Sequence, residues 1–404
     1  MPYLKEKSFI SVKKFKFSLS RITSSGNFIP EIDGLRFIMV IAIVAFHLNG
    51  FLIVKDLTNY TSDYNFDFIF RFIQNGDIAL HLFFVLSGFI LGLPFAKNHL
   101  LGGEKINLKK YIIRRITRVE PPYIIAMIFL LIATIFYTNN YTTEEAIKSF
   151  LASITYTHNF IYGKNVLPLI NTVAWSLEIE IQFYILAPLL SLIFTVKNTF
   201  YRRGSILILS IIFSILPHYT QFSFISILDY LQFFLIGFLL VDLYIMVETK
   251  RKNTVLRNII TIVSLLLIFS LDIHDFSMLY KKILWEIIVL FLILIVYYNV
   301  IICKSLPILS HKIITNIGGM CYSIYLLHFA IISFFGNHLV KFSFSNNQFI
   351  NSSFYTIIIV TAILIISTLF YLFIEQPSMD KNWPTKLKNY YVKRINQRIR
   401  RENR

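Results

Sequence analysis

Residues 33–47 read DGLRFIMVIAIVAFH. After Arg36 come ten residues with no ionisable side chain, and then a histidine, His47. The apolar run continues to Val54 and is about 20 residues long, which is what a helix rising about 1.5 Å per residue needs to cross a bilayer. Runs of this kind recur to the end of the chain, near 35–54, 78–95, 121–137, 179–196, 205–219, 224–246, 257–273, 282–302, 319–336 and 353–374. The composition agrees: 56% of residues are hydrophobic and only 15% charged, with a mean hydropathy of +0.64. Soluble domains are usually about one quarter charged. The reading is an all-α polytopic membrane protein with about ten transmembrane helices. Residues 34–377 form the membrane domain, flanked by basic tails at 1–33 and 378–404.

A net charge of +17 raises the question of nucleic acid, and topology explains it better. With a cytoplasmic N-terminus, 32 of the 39 Lys and Arg residues fall on the cytoplasmic side of these spans and 7 on the other. That asymmetry is the positive-inside pattern, so both termini are predicted to be cytoplasmic. No nucleic-acid partner is expected. The stretch SFISVKKFKFSLS reads as part of the disordered basic tail, with a membrane-surface segment as the alternative. The first apolar run is long enough to span, so no cleavable signal peptide is expected. Cys303 and Cys321 suggest no disulfide framework, and no metal-type Cys/His spacing or Gly-rich nucleotide loop is present. Long loops at 55–77 and 138–178 lie on the non-cytoplasmic side and carry Asp56, Asp63, Asp67, Asp77, Glu144 and Glu145.

Several polar residues stand at membrane depth. His47 lies roughly 18 Å in from Leu35 and shares a helix face with Arg36, about 16 Å away. An ionisable group at that depth usually faces a cavity or a partner; the alternative is a structural imidazole bonded to a neighbouring helix. In KKYIIRRITRVEPPY, Arg115 and Arg118 are helical neighbours ahead of Pro121 and Pro122. They are candidates for bidentate phosphate binding, or simply topology-setting charges. NTVAWSLEIEIQFY enters the fourth span with Glu178 and the deeper Glu180, flanked by Trp175, Ser176 and Tyr184. The Ser87-Gly88 pair in HLFFVLSGF favours close helix packing. CYSIYLLH adds a second intramembrane imidazole, His328, and FIEQP ends the tenth span with Glu375 before a helix-stopping Pro377. Asp229 and Glu286 are further acids at membrane depth, while His158 and His218 lie in loops or near span ends.

Taken in order, IDGLR with His47, HLFFVLSGF, RRITR, WSLEIEIQFY, CYSIYLLH and FIEQP resemble the motifs of the acyltransferase family 3 membrane proteins, over residues 30–377. The resemblance implies about ten spans, a cytoplasmic acyl-CoA donor (most often acetyl-CoA), no bound cofactor, and a carbohydrate or glycolipid acceptor at the cell surface. A bacterial inner membrane is the implied location. The family's catalytic histidine falls on His47 and the glutamate of its WSL-x-x-E motif on Glu180. Its first-span arginine and its Arg-x-x-Arg pair fall on Arg36, Arg115 and Arg118, associated with the acyl donor. Asp33, Trp175, Ser176, Tyr184, His328 and Glu375 are supporting candidates. Two positions depart from the pattern: Ile181 stands where many members have a second glutamate, and His81 where many have Asp. The short basic C-terminal tail resembles the stand-alone type, without an extracytoplasmic hydrolase-like domain.

The implied chemistry is O-acylation with His47 as general base on the acceptor hydroxyl; direct attack by His47, giving an acyl-imidazole, is the rival. Glu180 is the candidate to orient the imidazole, as the acid of a triad does. A pantetheine arm reaches roughly 15 Å, close to the Arg36–His47 separation. The competing class is a proton-coupled transporter or flippase of a glycan or lipid-linked intermediate, which buried Glu, Asp and His also suit. Against it stands the lack of paired halves with matched broken helices.

Overall fold

The structure, a computed structural model, describes residues 19, 21, 28–55, 67–137, 141–220, 222–246, 254–270, 277–380 and 382–385. Among these, all regular structure is helical. α1 (Pro30–Val54) is followed by α2 (Asp67–Gln74), joined through a 3-10 turn to α3 (Ala79–Leu101). α4 (Leu108–Tyr137) precedes two short helices, α5 (Thr143–Ile154) and α6 (His158–Tyr162). Next come α7 (Trp175–Leu190), α8 (Thr199–Ile215), α9 (Leu231–Met246), α10 (Val255–Ser270) and α11 (Leu279–Tyr297). The last are α12 (Lys312–Gly319), α13 (Cys321–Leu339), α14 (Gln348–Phe370) and the single turn α15 (Gln376–Ser378).

Among the described residues, seven helical stretches are long and apolar enough to cross a membrane, and the α12–α13 pair, bent by 67°, makes an eighth. The shorter apolar helices α9 and α10 complete the ten segments read from the sequence. Their outward faces are greasy: Ile128, Phe129 and Ile132 on α4 and Ile357, Ile365 and Leu369 on α14 are exposed. Such a belt is solvated by lipid rather than water. The protein is therefore an all-α polytopic integral membrane protein. α9 is the opposite case. It is buried without a break from Leu231 to Asp242, as expected of a helix that is apolar all round and central.

Two glycines set how closely α3 and α9 cross. A Cβ on Gly88 would stand 2.2 Å from the Phe234 carbonyl oxygen, and one on Gly237 would stand 2.3 Å from that of Val85. The backbones touch, and only glycine permits it. At the same crossing-rich half of the molecule, the wholly buried Arg202 and its neighbour Arg203 share the wholly buried carboxylate of Asp242. α1 belongs to both hydrophobic cores, one built with α3, α9 and α11 and the other with α4, α13 and α14.

Three local structures differ from the sequence reading. The segment 67–78, read within a loop, is helical and continues into α3. The third span is no short segment either: α4 begins at Leu108, so Arg115 and Arg118 ride on the same helix as the span itself. Pro121 and Pro122 lie inside it and remove the N–H groups that would bond the Thr117 and Arg118 carbonyls. Those carbonyls are taken up elsewhere, by Trp383 Nε1 at 2.9 Å and Ser378 Oγ at 3.3 Å. The proline pair thus turns a break in the ladder into a dock for the end of the tenth span. Finally, α14 does not stop before Pro377 but passes through a π-helical turn, Tyr371–Glu375, into α15. Pro377 sits in the first turn of α15, where a missing N–H costs little.

Candidate active site

One cavity runs between α1, α3, α4, α7, α13 and the π-turn. Four guanidinium groups line it: Arg21, Arg36, Arg115 and Arg118. Its polar wall is Ser87, Ser176, Glu180, Tyr184, Tyr322, Tyr325 and Glu375, and the remainder is largely apolar, including Phe83, Phe84, Ile90 and Met379. A partly enclosed, mostly apolar space with a few convergent polar groups is the usual form of a small-molecule site.

The arginines are held by different means. Arg36 Nη1 donates to Asp33 Oδ1 at 2.5 Å, three residues back on α1. Arg21 Nη1 reaches the same oxygen at 3.2 Å, so one carboxylate serves two cations. α12 presses against this first turn of α1, since a Cβ on Gly318 would fall 1.8 Å from the Asp33 carbonyl oxygen. That contact places the Asp33–Arg36 pair beside the α12–α13 bend. Arg115 lies 5.9 Å over the Tyr111 ring. Neither Arg115 nor Arg118 makes a salt bridge among the described residues. The cavity therefore holds cationic groups with donors to spare, which suits a polyanion. Arg21 was not picked out from the sequence. It lies in the segment read as tail, and nothing in its surroundings there distinguishes it.

The two glutamates of α7 part company. Glu180 Oε1 accepts from Tyr184 OH at 2.5 Å and from Ser87 Oγ at 3.1 Å, both on the cavity wall. It makes no hydrogen bond to His47. Glu178 points the other way and accepts from the backbone N–H groups of His158 at 2.6 Å and Asn159 at 2.9 Å. It ties α6 to the start of α7. Trp175 helps there too, its carbonyl accepting from Asn159 Nδ2 at 3.1 Å, and its ring does not line the cavity. α5 next door is closed by a capping box: Glu145 accepts from the Thr142 N–H at 2.8 Å and its hydroxyl at 2.9 Å, which holds this carboxyl below the usual range.

Glu375 caps the bent span. Its Oε2 accepts from the Ser323 N–H at 3.0 Å and Oγ at 2.5 Å, in the first turn of α13, where a carboxylate is favoured. At the far end of the cavity, Ser176 Oγ and Tyr325 OH are 2.6 Å apart, and Tyr325 OH is 2.6 Å from the Val173 carbonyl oxygen.

His47 and His328 do not line the cavity. They form a pair beyond Tyr325, with ring centroids 5.0 Å apart and His328 Nε2 3.1 Å from His47 Nδ1. Tyr325 touches both regions. Its ring lines the cavity and lies 6.0 Å from the His328 ring, while its carbonyl oxygen is 2.9 Å from His328 Nδ1. The fold thus brings Arg36, Arg115, Arg118, Ser176, Glu180, Tyr184 and Glu375 to one space, with Asp33 behind Arg36 and the imidazole pair behind Tyr325. Other acids and imidazoles lie elsewhere. His81 stacks on Phe233 at 4.3 Å; Glu286 accepts from Gln232 and pairs with His218 at 3.1 Å; Asp229 caps a 3-10 turn at Ser226. No group of three or more His, Cys, Asp or Glu side chains with metal-site geometry occurs among the described residues. Asp56 and Asp63 of the long loop lie outside the described residues.

Residues 29–372 match a family model described as an acyltransferase domain. A Staphylococcus aureus (strain COL) protein named "Putative O-acetyltransferase" is 28% identical over 366 residues, covering 83% of this chain and 54% of that protein. The "Peptidoglycan O-acetyltransferase OatA" of Listeria monocytogenes is 32% identical over 187 residues, 43% of this chain and 26% of its own length. The chain spans about half the length of the first of these curated relatives and a quarter of the second. No solved structure matches.

Proposed function

Because the chain belongs to the acyltransferase domain family, we propose that it moves an acyl group, acetyl first among them, from acyl-CoA to a hydroxyl of a cell-surface carbohydrate or glycolipid. The membrane is the bacterial inner membrane, with the arginine-lined end of the cavity on the cytoplasmic side. Peptidoglycan heads the acceptors to try, since the Listeria relative carries it in its name. The observation that carries the reading is one cavity that gathers four guanidinium groups and is lined by Tyr325, behind which stands a pair of imidazoles. Arg115 and Arg118 hold donor phosphates and Arg36 works beside them. The pantetheine arm lies along the apolar wall, and the thioester comes to rest at the Ser176–Tyr325 end.

His47 then serves as general base. The acceptor oxygen attacks the thioester carbonyl, its proton passes to the imidazole, the C–S bond breaks as the C–O bond is completed, and the proton returns to the leaving thiolate. Glu180, bonded to Tyr184 and Ser87, keeps the cavity wall polar next to Arg115.

The test uses the full chain in proteoliposomes with labelled acetyl-CoA and glycan acceptors. CoA release and label transfer are expected, and both are lost in His47→Ala with insertion unchanged. Normal transfer by a well-inserted His47→Ala protein overturns the mechanism. Cys321 lines the cavity whereas Cys303 is wholly buried, so a thiol reagent reports on the space at Cys321. Saturating acetyl-CoA should slow alkylation of Cys321; an unchanged rate would place the donor elsewhere.

A further inference from the structure

The two imidazoles form a directed pair, and their acceptors reveal the direction. His328 Nδ1 lies 3.0 Å from the Ile324 carbonyl oxygen and 2.9 Å from that of Tyr325. Carbonyl oxygens only accept, so Nδ1 of His328 carries the proton. A neutral imidazole has one N–H, which leaves Nε2 of His328 as a lone pair, and that lone pair is 3.1 Å from His47 Nδ1. His47 Nδ1 is also 3.1 Å from the Ile43 carbonyl oxygen. Faced by two acceptors, it is the protonated atom of its own ring. What remains is Nε2 of His47, unprotonated and without a hydrogen-bond partner among the described residues. A doubly protonated His328 fails on the same geometry. It would donate to His47 Nδ1, set a second lone pair against the Ile43 carbonyl, and bury a cation with no carboxylate bonded to either ring.

We infer that His328 is a positioning residue for the transfer: it holds His47 in the Nδ1–H tautomer, so that Nε2 of His47 takes the proton from the acceptor hydroxyl. This rests on the reading of His47 as general base. When that proton arrives on Nε2, the imidazolium shares its Nδ1–H with the His328 lone pair, and Nε2 later gives the proton to the thiolate of CoA. An uncharged ring does here what a carboxylate does in a serine-type triad, which is to choose the tautomer and steady the charged form. A neutral partner also avoids the penalty of burying an anion at that depth. The orienting role considered for Glu180 passes to His328, because Glu180 Oε1 is engaged by Tyr184 and Ser87.

Two measurements on the full chain in nanodiscs decide it. Imidazole ¹⁵N spectra, with the His47→Gln protein identifying the His47 signals, should show a protonated Nδ1 and a pyridine-type Nε2 for His47. In His328→Leu, where the Ile43 carbonyl is the one acceptor left of the two at His47 Nδ1, the Nε2–H tautomer should gain population. In turnover, His328→Leu should lower kcat by about 10²-fold or more, within the span a general base supplies, with KM for acetyl-CoA unchanged. His328→Gln, whose Oε1 can stand where Nε2 was, should recover about tenfold of that loss, as a restored neutral acceptor would. A wild-type His47 found as the Nε2–H tautomer overturns the inference, and so does a His328→Leu protein with wild-type kcat while His47→Gln is inactive. Full turnover by His47→Gln is a different failure, that of the general-base reading, and takes the inference with it. Should both His328 variants misfold, the wild-type spectrum alone still decides.

Discussion

Ser87 and Gly88 are neighbours on α3, yet they face two different interiors. Gly88 lies in the seam with α9, where a Cβ would strike the Phe234 carbonyl, and nothing larger than hydrogen fits. Ser87 faces the cavity and donates to Glu180 along its wall. The seam half is closed by small residues, by a helix buried on all sides and by the Arg202–Asp242–Arg203 cluster. The cavity half is held open by groups that bond sideways along its wall: Asp33 to Arg36, Glu180 to Tyr184, Glu375 to Ser323. The lesson is that buried polarity serves two ends in this molecule. In the seam Arg202 and Asp242 are fully enclosed and contribute to holding helices; in the cavity polarity leaves donors and charge available to a ligand.

Four experiments break or sharpen that contrast. The largest effect is expected from Asp242→Ala, which strands the buried Arg202 without its anion. Removing one partner of such a pair costs about 3–5 kcal/mol, so detergent-solubilised protein should unfold at markedly lower temperature. Equal thermal stability would show that the cluster is not structural. Next comes Gly88→Ala, an overpacking change of about 1–3 kcal/mol or more because the obstacle is backbone. Its neighbour Ser87→Ala should unfold within about 1 kcal/mol of the parent, having lost one hydrogen bond to a charged or polar partner. If the two melt alike, the division between seam and cavity is mistaken.

Third, Arg115→Ala and Arg118→Ala should leave stability almost unchanged while raising KM for acyl-CoA. A charge-assisted hydrogen bond is worth about 1.5–3 kcal/mol, or roughly 10- to 100-fold. An unchanged KM in both removes the phosphate role. The smallest effect belongs to the exposed cap of α5. The Glu145 carboxyl is held below its usual range by Thr142, so the cap is fully formed above the ordinary carboxylate pKa and is lost as pH falls through the depressed value. Protease nicking or amide exchange at 143–145 should rise on acidification, and Glu145→Gln should abolish that dependence without touching the seam or the cavity.

Much of the site was legible in the linear order of residues. Glu180 stands out because charge at membrane depth needs a reason, while Arg36, Arg115, Arg118 and Glu375 stand out through the motifs that resemble the family, and all five reach the cavity. The apolar segments were equally legible: among the described residues seven or eight of them form helices long enough to cross a membrane, and two more form shorter apolar helices. Other features were hidden. Arg21 is one basic residue among several in the N-terminal tail, and only its position beside Asp33 singles it out. The role of Pro121 and Pro122 is invisible without Trp383 and Ser378, more than 250 residues away, which accept the duty of the missing N–H groups. Glu178 and Glu180 serve opposite faces of α7, and that Glu178 ties down α6 was not readable from the chain.

From its sequence alone this protein was determined to be helical and membrane-embedded, because hydropathy acts residue by residue through contact with lipid and water. Tertiary structure decided which polar groups meet. It gave Glu180 to Tyr184 and Ser87, set His328 rather than Glu180 against His47, and placed Tyr325 between the cavity and the two rings. Hydrogen bonds are short-ranged and directional, so partners 281 residues apart in the chain are chosen only by how the helices pack.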